Sequence, residues 1–293
     1  MRASQQSDLG ACTEHNWSRF GCDMPAGLEL QWLGTAGFRL SYEGHHLLID
    51  PYLTRLGLWQ VFSRRRVRPS PEAIERHVPA ASAVLVGHTH FDHALDIPFL
   101  LTRHGCDAYG SASLKRLLQL HDLAQQAHVV ELYEVYPIGP FEVTFVPSAH
   151  SKLLLGLKVP YAGEFTCDRV EALNAASYRC GQVYGIHIAV AGVSFYHQGS
   201  ANLLDDAIRH HDVDYFLAGI TARGFTPDYT GRILRRLSPR VVIPHHHDDF
   251  FRALDQPMRL SFNANFGGFV EEVAAVSRDF EVRCLDLLQT VRG

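Results

Sequence analysis

Ala83-Val84-Leu85-Val86-Gly87-His88-Thr89-His90-Phe91-Asp92-His93 is the stretch that decides the fold. Ala83 to Gly87 is a short apolar run of the kind that forms a buried strand. The six residues after it then stand on a loop at the strand's carboxyl end, and they hold three imidazoles and a carboxylate. Alternate side chains of an extended segment share a side, so His88 and His90 can present nitrogens to one metal ion. Asp92 and His93, just past the bend, can face a second ion beside the first.

Working outward, Leu28–Leu33 and Phe38–Tyr42 read as strands about a turn supplied by Gly34 and Gly37, and His46–Ile49 as a third strand ending at Asp50-Pro51. Ser70-Pro71-Glu72 is a helix start, with Ser70 as N-cap and proline at the first position. Leu95–His104 suits a helix broken near Pro98, and Leu114–Leu120 a short helix behind Ser111 or Ser113. Phe141–Val146 alternates as a strand and delivers Pro147-Ser148-Ala149-His150. Val183–Val190 and Val193–His197 predict a hairpin turning at Ala191-Gly192. Leu203–His211 is predicted helical, Tyr215–Ala218 a strand, and Thr226-Pro227 the cap of a helix ending at Ser238-Pro239. Val241–Ile243 leads into Pro244-His245-His246-His247. Phe269–Phe280 is the last predicted helix and Val282–Leu287 the last strand. Strands and helices in both halves, with candidate ligands at strand ends, predict an α/β protein built as an αββα sandwich, two mixed sheets flanked by helices. Residues 1–27 are polar and aperiodic, a tail or surface strap. Residues 28–293 form one expected domain.

The His-x-His-x-Asp-His spacing of residues 88–93 resembles the signature of the metallo-β-lactamase-fold hydrolases. Leu33-Gly34-Thr35-Ala36-Gly37-Phe38 and Leu47-Leu48-Ile49-Asp50-Pro51-Tyr52 are similar to the opening hairpin of the branch that includes ascorbate-6-phosphate lactonase and the N-acyl-phosphatidylethanolamine phospholipases. The resemblance runs from Leu28 to the C-terminus. It implies a metal-dependent hydrolase, of lactonase or phosphodiesterase type, acting on a lactone, ester or phosphoester. It does not name the substrate, because one scaffold carries many chemistries.

The resemblance also implies a ligand set. Ser148-Ala149-His150-Ser151-Lys152 looks like the context of the family's third ligand, so His88, His90 and His150 make one three-ligand site with an open position. Asp92, His93 and one of His245-His246-His247 make the second. The family ligand follows a proline after one intervening residue and precedes a phenylalanine by four; Pro244, His246 and Phe250 match, which selects His246. His245 and His247 are expected to line the cavity or to support the ligands. Asp50 either orients a ligand histidine or is a turn-forming Asp-Pro. Relatives carry Gly-Asp-Thr after the hairpin, and its Asp bridges both ions; here Gly199-Ser200-Ala201 puts Ser200 in that place. A serine hydroxyl is a weak ligand that cannot offset two divalent charges. Three outcomes stand open: two ions without the carboxylate bridge, one ion only, or replacement by Asn202 or Asp205. The expected cofactor is one or two divalent ions, zinc first with manganese or iron as alternatives, and the favoured outcome is a dinuclear site with a weakened second position.

A divalent ion brings water to a pKa of about 7 and so supplies a nucleophile at neutral pH, with Asp92 placed to carry the proton. No Gly-x-Ser-x-Gly elbow and no phosphate-cradling glycine loop is present. The rival reading is a catalytically reduced protein of this fold that binds a metabolite or partner, motivated by Ser200. A di-iron oxidoreductase is the third reading, disfavoured because that variant has Glu in the motif where this chain has His90. Thr54–Arg68 mixes apolar residues with Arg64, Arg65, Arg66 and Arg68, and reads as a solvated basic loop or as an anion-attracting rim. Lys152 and Arg223 are candidate substrate contacts, and Leu153–Gly181 a candidate pocket wall. The expected partner is a small molecule, anionic if the basic groups take part, and membrane contact is not expected.

A net charge of −4 disfavours nucleic-acid binding. No apolar stretch reaches the roughly 20 residues of a membrane span, and the N-terminus shows no secretory pattern. Six cysteines without Cys-x-x-Cys spacing read as reduced thiols, Cys12 and Cys22 being those expected at the surface. Cytoplasmic location follows as the expectation.

Overall fold

The computed structural model describes residues 3–153 and 156–293; Leu154 and Leu155, part of the expected pocket wall, lie outside the described residues, as do Met1 and Arg2. Seven strands make the first sheet: β1 (Glu29–Gly34), β2 (Gly37–Tyr42), β3 (His45–Ile49), β4 (Ala83–Leu85), β5 (Asp107–Gly110), β6 (Ala127–Val129) and, at its other edge, β14 (Thr290–Arg292). Their order is β14-β1-β2-β3-β4-β5-β6. The second sheet holds β7 (Val135–Ile138), β8 (Phe141–Pro147), β9 (Tyr184–Val190), β10 (Val193–Gln198), β11 (Tyr215–Gly219), β12 (Val241–His245) and β13 (Glu281–Val282), in the order β13-β12-β11-β10-β9-β8-β7.

Period-2 alternation builds three apolar layers from these strands. Leu30, Trp32, Phe38 and Leu40 of the first sheet meet Phe141, Val143, Phe145, Ile186, Ile188 and Phe195 of the second, forming the core between the sheets. The opposite faces carry Leu33, Leu48 and Val84 on one side and Phe216 and Val242 on the other. Helices α3 (Pro71–His77), α5 (Ile97–His104) and α6 (Ala112–Gln119) cover the first; α1 (Ala3–Glu14), α7 (Tyr229–Leu237) and α8 (Phe266–Val276) cover the second. Two short helices, α2 (Leu58–Phe62) and α4 (Phe91–Ala94), belong to loops. The expected αββα sandwich is the architecture observed.

Strands β3 to β6 are parallel, as are β10 to β13. Open parallel sheets bind ligands beyond the carboxyl ends of their strands. That end collects Asp50 after β3, His88 after β4, His150 beyond β8, Ser200 beyond β10 and His246 after β12.

Several predicted elements need correction. Helix α5 is not broken at Pro98: it begins at Ile97, so the proline sits in the first turn, where its missing N–H is not needed. Leu203–His211 is not a helix. Only Asp205–Ala207 makes a 3-10 turn, while Leu203, Ala207 and Ile208 pack on the sheet and the His210 ring stacks on His187 of β9 at 3.9 Å. Helix α7 starts after Asp228 rather than at Thr226-Pro227. The last strand is split: the chain leaves the sheet after Val282 because Cys284 N–H donates to the His15 carbonyl, and β14 then pairs with β1. Within residues 1–27, α1 packs against α8, and Cys12, expected at the surface, is buried. Helix α3 is capped as expected by Ser70, whose Oγ accepts from Ala73 N–H, and Ser111 caps α6 in the same way.

Candidate metal centre

β4 ends at Leu85, His88 follows three residues on, His90 is extended at the start of α4, and α4 turns Asp92 and His93 back toward them. The donor atoms of His88, His90 and His150 all lie within 4.8 Å of one another, and so do those of Asp92, His93 and His246. The two groups adjoin, with the His88 and His93 ring centroids 3.8 Å apart. Residues up to 158 positions apart in the chain (88 to 246) are thus brought to one place.

Hydrogen bonds to carbonyl oxygens settle which nitrogen His90 and His150 offer. A carbonyl only accepts, so the His90 Nε2 that lies 2.9 Å from Pro160 O must carry the hydrogen, leaving the Nδ1 lone pair free. His150 is fixed in the opposite tautomer, its Nδ1 2.6 Å from Ser151 O. His93 places Nδ1 2.8 Å from Oδ2 of Asp50, which turns Nε2 toward Asp92 at 3.7 Å. His246 Nε2 lies 3.3 Å from the same Asp92 carboxylate. His88 Nε2 and His90 Nδ1 face each other at 3.0 Å, and His88 Nδ1 is buried without a partner.

Burial acts first on His88, His90, His150, Asp92 and His93. It holds His88 well below the usual imidazole range, His90 at about 4 and His150 at about 3, with the neighbouring histidines adding to the shift in His88 and His150. These rings are neutral at pH 7. Burial also opposes the charged forms of Asp92 and His93, but here the partners win: His93 and His246 bring the Asp92 carboxyl below its ordinary value, and Asp50 and Asp92 raise His93. Neutral imidazole lone pairs converging beside an ionised carboxylate in a buried volume are donors fitted to a borderline divalent cation. The residues fit one cation at the His88, His90 and His150 group and a second at Asp92, His93 and His246.

Backbone strain accompanies the site. Asp50 (φ +43) and His246 (φ +60) are both left-handed, which residues other than glycine adopt rarely. His246 is pinned there by its N–H, which donates to Thr35 O at 2.8 Å, and by its carbonyl, which accepts from the Thr221 hydroxyl.

Other expected site residues are placed differently. Ser200 Oγ accepts from Ser151 N–H at 3.0 Å, so its hydroxyl is engaged beside the third histidine. Asn202 donates to His150 O and accepts from Leu203 N–H, and Asp205 pairs with Arg232; neither turns to the cluster, and neither supplies the missing carboxylate. His245 and His247 do not line the cavity. His245 stacks on His197 at 4.9 Å, and His247 stacks on Trp32 at 4.7 Å. Arg223 is not a substrate contact, because its guanidinium is buried against Glu272, Ala264 O and Asn265 O. Lys152 is exposed and outside the cavity lining, where Lys158 appears instead.

Sequence reasoning missed the glycines around Asp50. A Cβ on Gly87 or on Gly199 would sit 2.9 Å from its carboxylate oxygen, so both leave room for the group that orients His93. Their positions, one before His88 and one before Ser200, were the available signal. It also missed the buried pair of Arg55 and Asp248, 2.7 Å apart, which carries no local pattern.

The chain resembles solved structures of this architecture. One is the metallo hydrolase Igni18 from Ignicoccus hospitalis (TM-score 0.57, 18% identity, 90% of this chain and 97% of that one). Another is the metallo-β-lactamase fold protein YhfI from Bacillus subtilis (TM-score 0.56, 13% identity, 90% and 99%). These likenesses define the class, a metallo-β-lactamase fold. Residues 45–247 match the family model described as a beta-lactamase superfamily domain. Curated relatives include the UPF0173 metal-dependent hydrolases of Polynucleobacter asymbioticus (29% identity over 231 residues, 75% of this chain and 74% of that protein). A second, from Carboxydothermus hydrogenoformans, is 26% identical over 226 residues (75% and 85%). The chain belongs to the β-lactamase superfamily, among its metal-dependent hydrolases.

Proposed function

We propose that the protein hydrolyses a small carboxylic ester or lactone with an apolar body, at the centre formed by His88, His90, His150, Asp92, His93 and His246. The observation that carries this reading is the cavity above those residues, of ≈ 490 Å³. Its floor holds His90, Asp92, His150 and His246, and its walls are Val61, Phe62, Leu153, Val159, Phe250 and Phe251. Lys158 is the single cation among its described lining residues, and none of Arg64, Arg65, Arg66 or Arg68 reaches it. Anionic phosphoesters are ordinarily held by several cationic donors, so this lining favours a neutral acyl compound.

When bound, a divalent cation acidifies water to a pKa of about 7 and polarises the carbonyl under attack. The protein's own groups do the rest. The apolar walls hold the acyl group and exclude bulk water, which strengthens the electrostatics of the floor. Asp92, ionised and beside two imidazoles, is placed to take a proton and return it to the leaving oxygen. Asp50 holds His93 in one tautomer and one orientation. The reading accommodates two cations, zinc being favoured by the imidazole-rich donors. The second position is weakened, since Ser200 brings no charge to it.

The test is turnover of p-nitrophenyl esters of increasing acyl length beside bis(p-nitrophenyl) phosphate, with zinc, manganese and iron supplied in turn. Each buried methylene contributes about 0.8 kcal/mol, so kcat/KM should rise about fourfold per carbon until the cavity is full, and His90→Ala should abolish turnover. Preference for the phosphodiester, or a flat dependence on acyl length, would refute the substrate class. Silence toward every substrate with metal bound would favour the catalytically reduced binding protein that Ser200 suggests.

A further inference from the structure

Three residues outside the centre form another group of soft and borderline donors. Cys12 lies on α1, His247 follows β12 and Cys284 follows β13, and their Sγ and ring nitrogen atoms lie within 4.8 Å of one another. All three are buried, at 4%, 0% and 1% exposed. Cys284 Sγ is 3.9 Å from His247 Nε2, and Cys12 Sγ lies within 4.8 Å of both. The His247 Nδ1 is buried with no partner.

We propose that Cys12, His247 and Cys284 form a separate metal site for a thiophilic d10 cation, zinc in the first place, that fastens α1 to the loop carrying His246. A Cys2His donor set holds zinc with one further position open to a water. Among the described residues no other Cys, His, Asp or Glu joins the group. Charge favours the assignment: one Zn2+ replaces two thiol protons, which pass to solvent, and the resulting group of ion, two thiolates and neutral imidazole carries no net charge. A neutral group is the form a buried apolar layer tolerates. The surroundings are such a layer, with Phe266 edge-on to His247 at 5.5 Å and Val282 and Leu260 nearby.

Packing alone would account for two buried cysteines, which behave as small hydrophobes. It does not account for an imidazole brought against both with its other nitrogen unpaired. The backbone holds the donors in register independently of any ion: Trp17 N–H donates to Cys284 O at 2.8 Å, and Cys284 N–H to His15 O at 2.7 Å. His247 also follows His246 directly and accepts Ser261 N–H at 2.7 Å. An ion at the cysteines would therefore fix the loop from which His246 reaches Asp92.

Cobalt separates this site from the centre, because the centre's donors contain no sulfur. The metal-free full chain is titrated with Co2+ and the near-ultraviolet thiolate-to-cobalt charge-transfer absorption is recorded. The expected result is a sulfur band whose amplitude at saturation corresponds to one thiolate-bound cobalt per chain, which persists in His90→Ala and is lost in Cys12→Ser and Cys284→Ser. The wild-type measurement stands even if a cysteine variant fails to fold. Cobalt binding without a sulfur band, or no binding at any concentration, overturns the proposal. So does a denatured, metal-free wild type that titrates two fewer thiols than its six cysteines, since Cys12 and Cys284 would then be a disulfide.

Discussion

Arg55 and Asp248 offer the sharpest test of how the site is held. Arg55 Nη1 is 2.7 Å from Asp248 Oδ2, with side chains only 1% and 3% exposed. Asp248 Oδ1 also accepts Thr35 N–H at 2.8 Å. The pair therefore joins the turn between β1 and β2, the segment after Asp50 and the loop after His246. Arg55→Met would leave a buried carboxylate with one remaining side-chain hydrogen bond; Asp248→Leu would leave a buried guanidinium with a long 3.5 Å contact to Leu33 O and the Tyr52 ring 5.5 Å away. Breaking a buried pair in this way costs about 3–5 kcal/mol. At about 2–4 °C per kcal/mol for a domain of this size class, each single variant should lose roughly 6–20 °C in Tm. The double variant removes both charges and should recover all but about 1–2 kcal/mol of the loss. The assay is urea and thermal unfolding of the four proteins in the metal-free state, because bound metal would add its own stabilisation. Singles that lose less than about 1 kcal/mol, or a double variant as unstable as the two losses added, would refute the reasoning.

Other consequences follow from particular residues. Ser200→Asp should bring a charge beside both cation positions and raise affinity for the second ion by about tenfold or more, a gain of at least about 1.4 kcal/mol; unchanged metal stoichiometry in a competition with chelator would sink the idea. Gly199→Ala would place a Cβ 2.9 Å from the Asp50 carboxylate and 3.4 Å from His93 Cε1. It should lower metal affinity, as isothermal titration would show, and overpacking this buried spot should cost the metal-free protein about 1–3 kcal/mol in thermal unfolding. His187, stacked on His210, is held at about 4 by burial and by that neighbour. The unfolded chain then binds more protons between pH 6.5 and 4, so this contribution is fully present above 6.5 and is lost on acidification through that window. His187→Phe should shrink the metal-free protein's loss of stability between pH 7 and 4.5 by up to about 3 kcal/mol; an unchanged pH profile would count against the shift.

What the sequence determined by itself was whatever depends on spacing. Strand alternation, the Ser70 cap and the His88-x-His90-x-Asp92-His93 cluster were legible because neighbours along a chain have fixed relative geometry. The resemblance added His150 and His246, which the fold brings to that cluster. Only the tertiary structure decided matters that depend on distant partners. It set Leu203–His211 against a sheet instead of coiling it, although the local pattern permits a helix. It drew Cys12 inside and turned Arg223, Asn202 and Asp205 toward partners other than the cations. It also paired Arg55 with Asp248, and Cys12 and Cys284 with His247. The physical reason is that burial and pairing are properties of the assembled layers: a side chain's final surroundings come mostly from segments far away in sequence, and no local pattern encodes them.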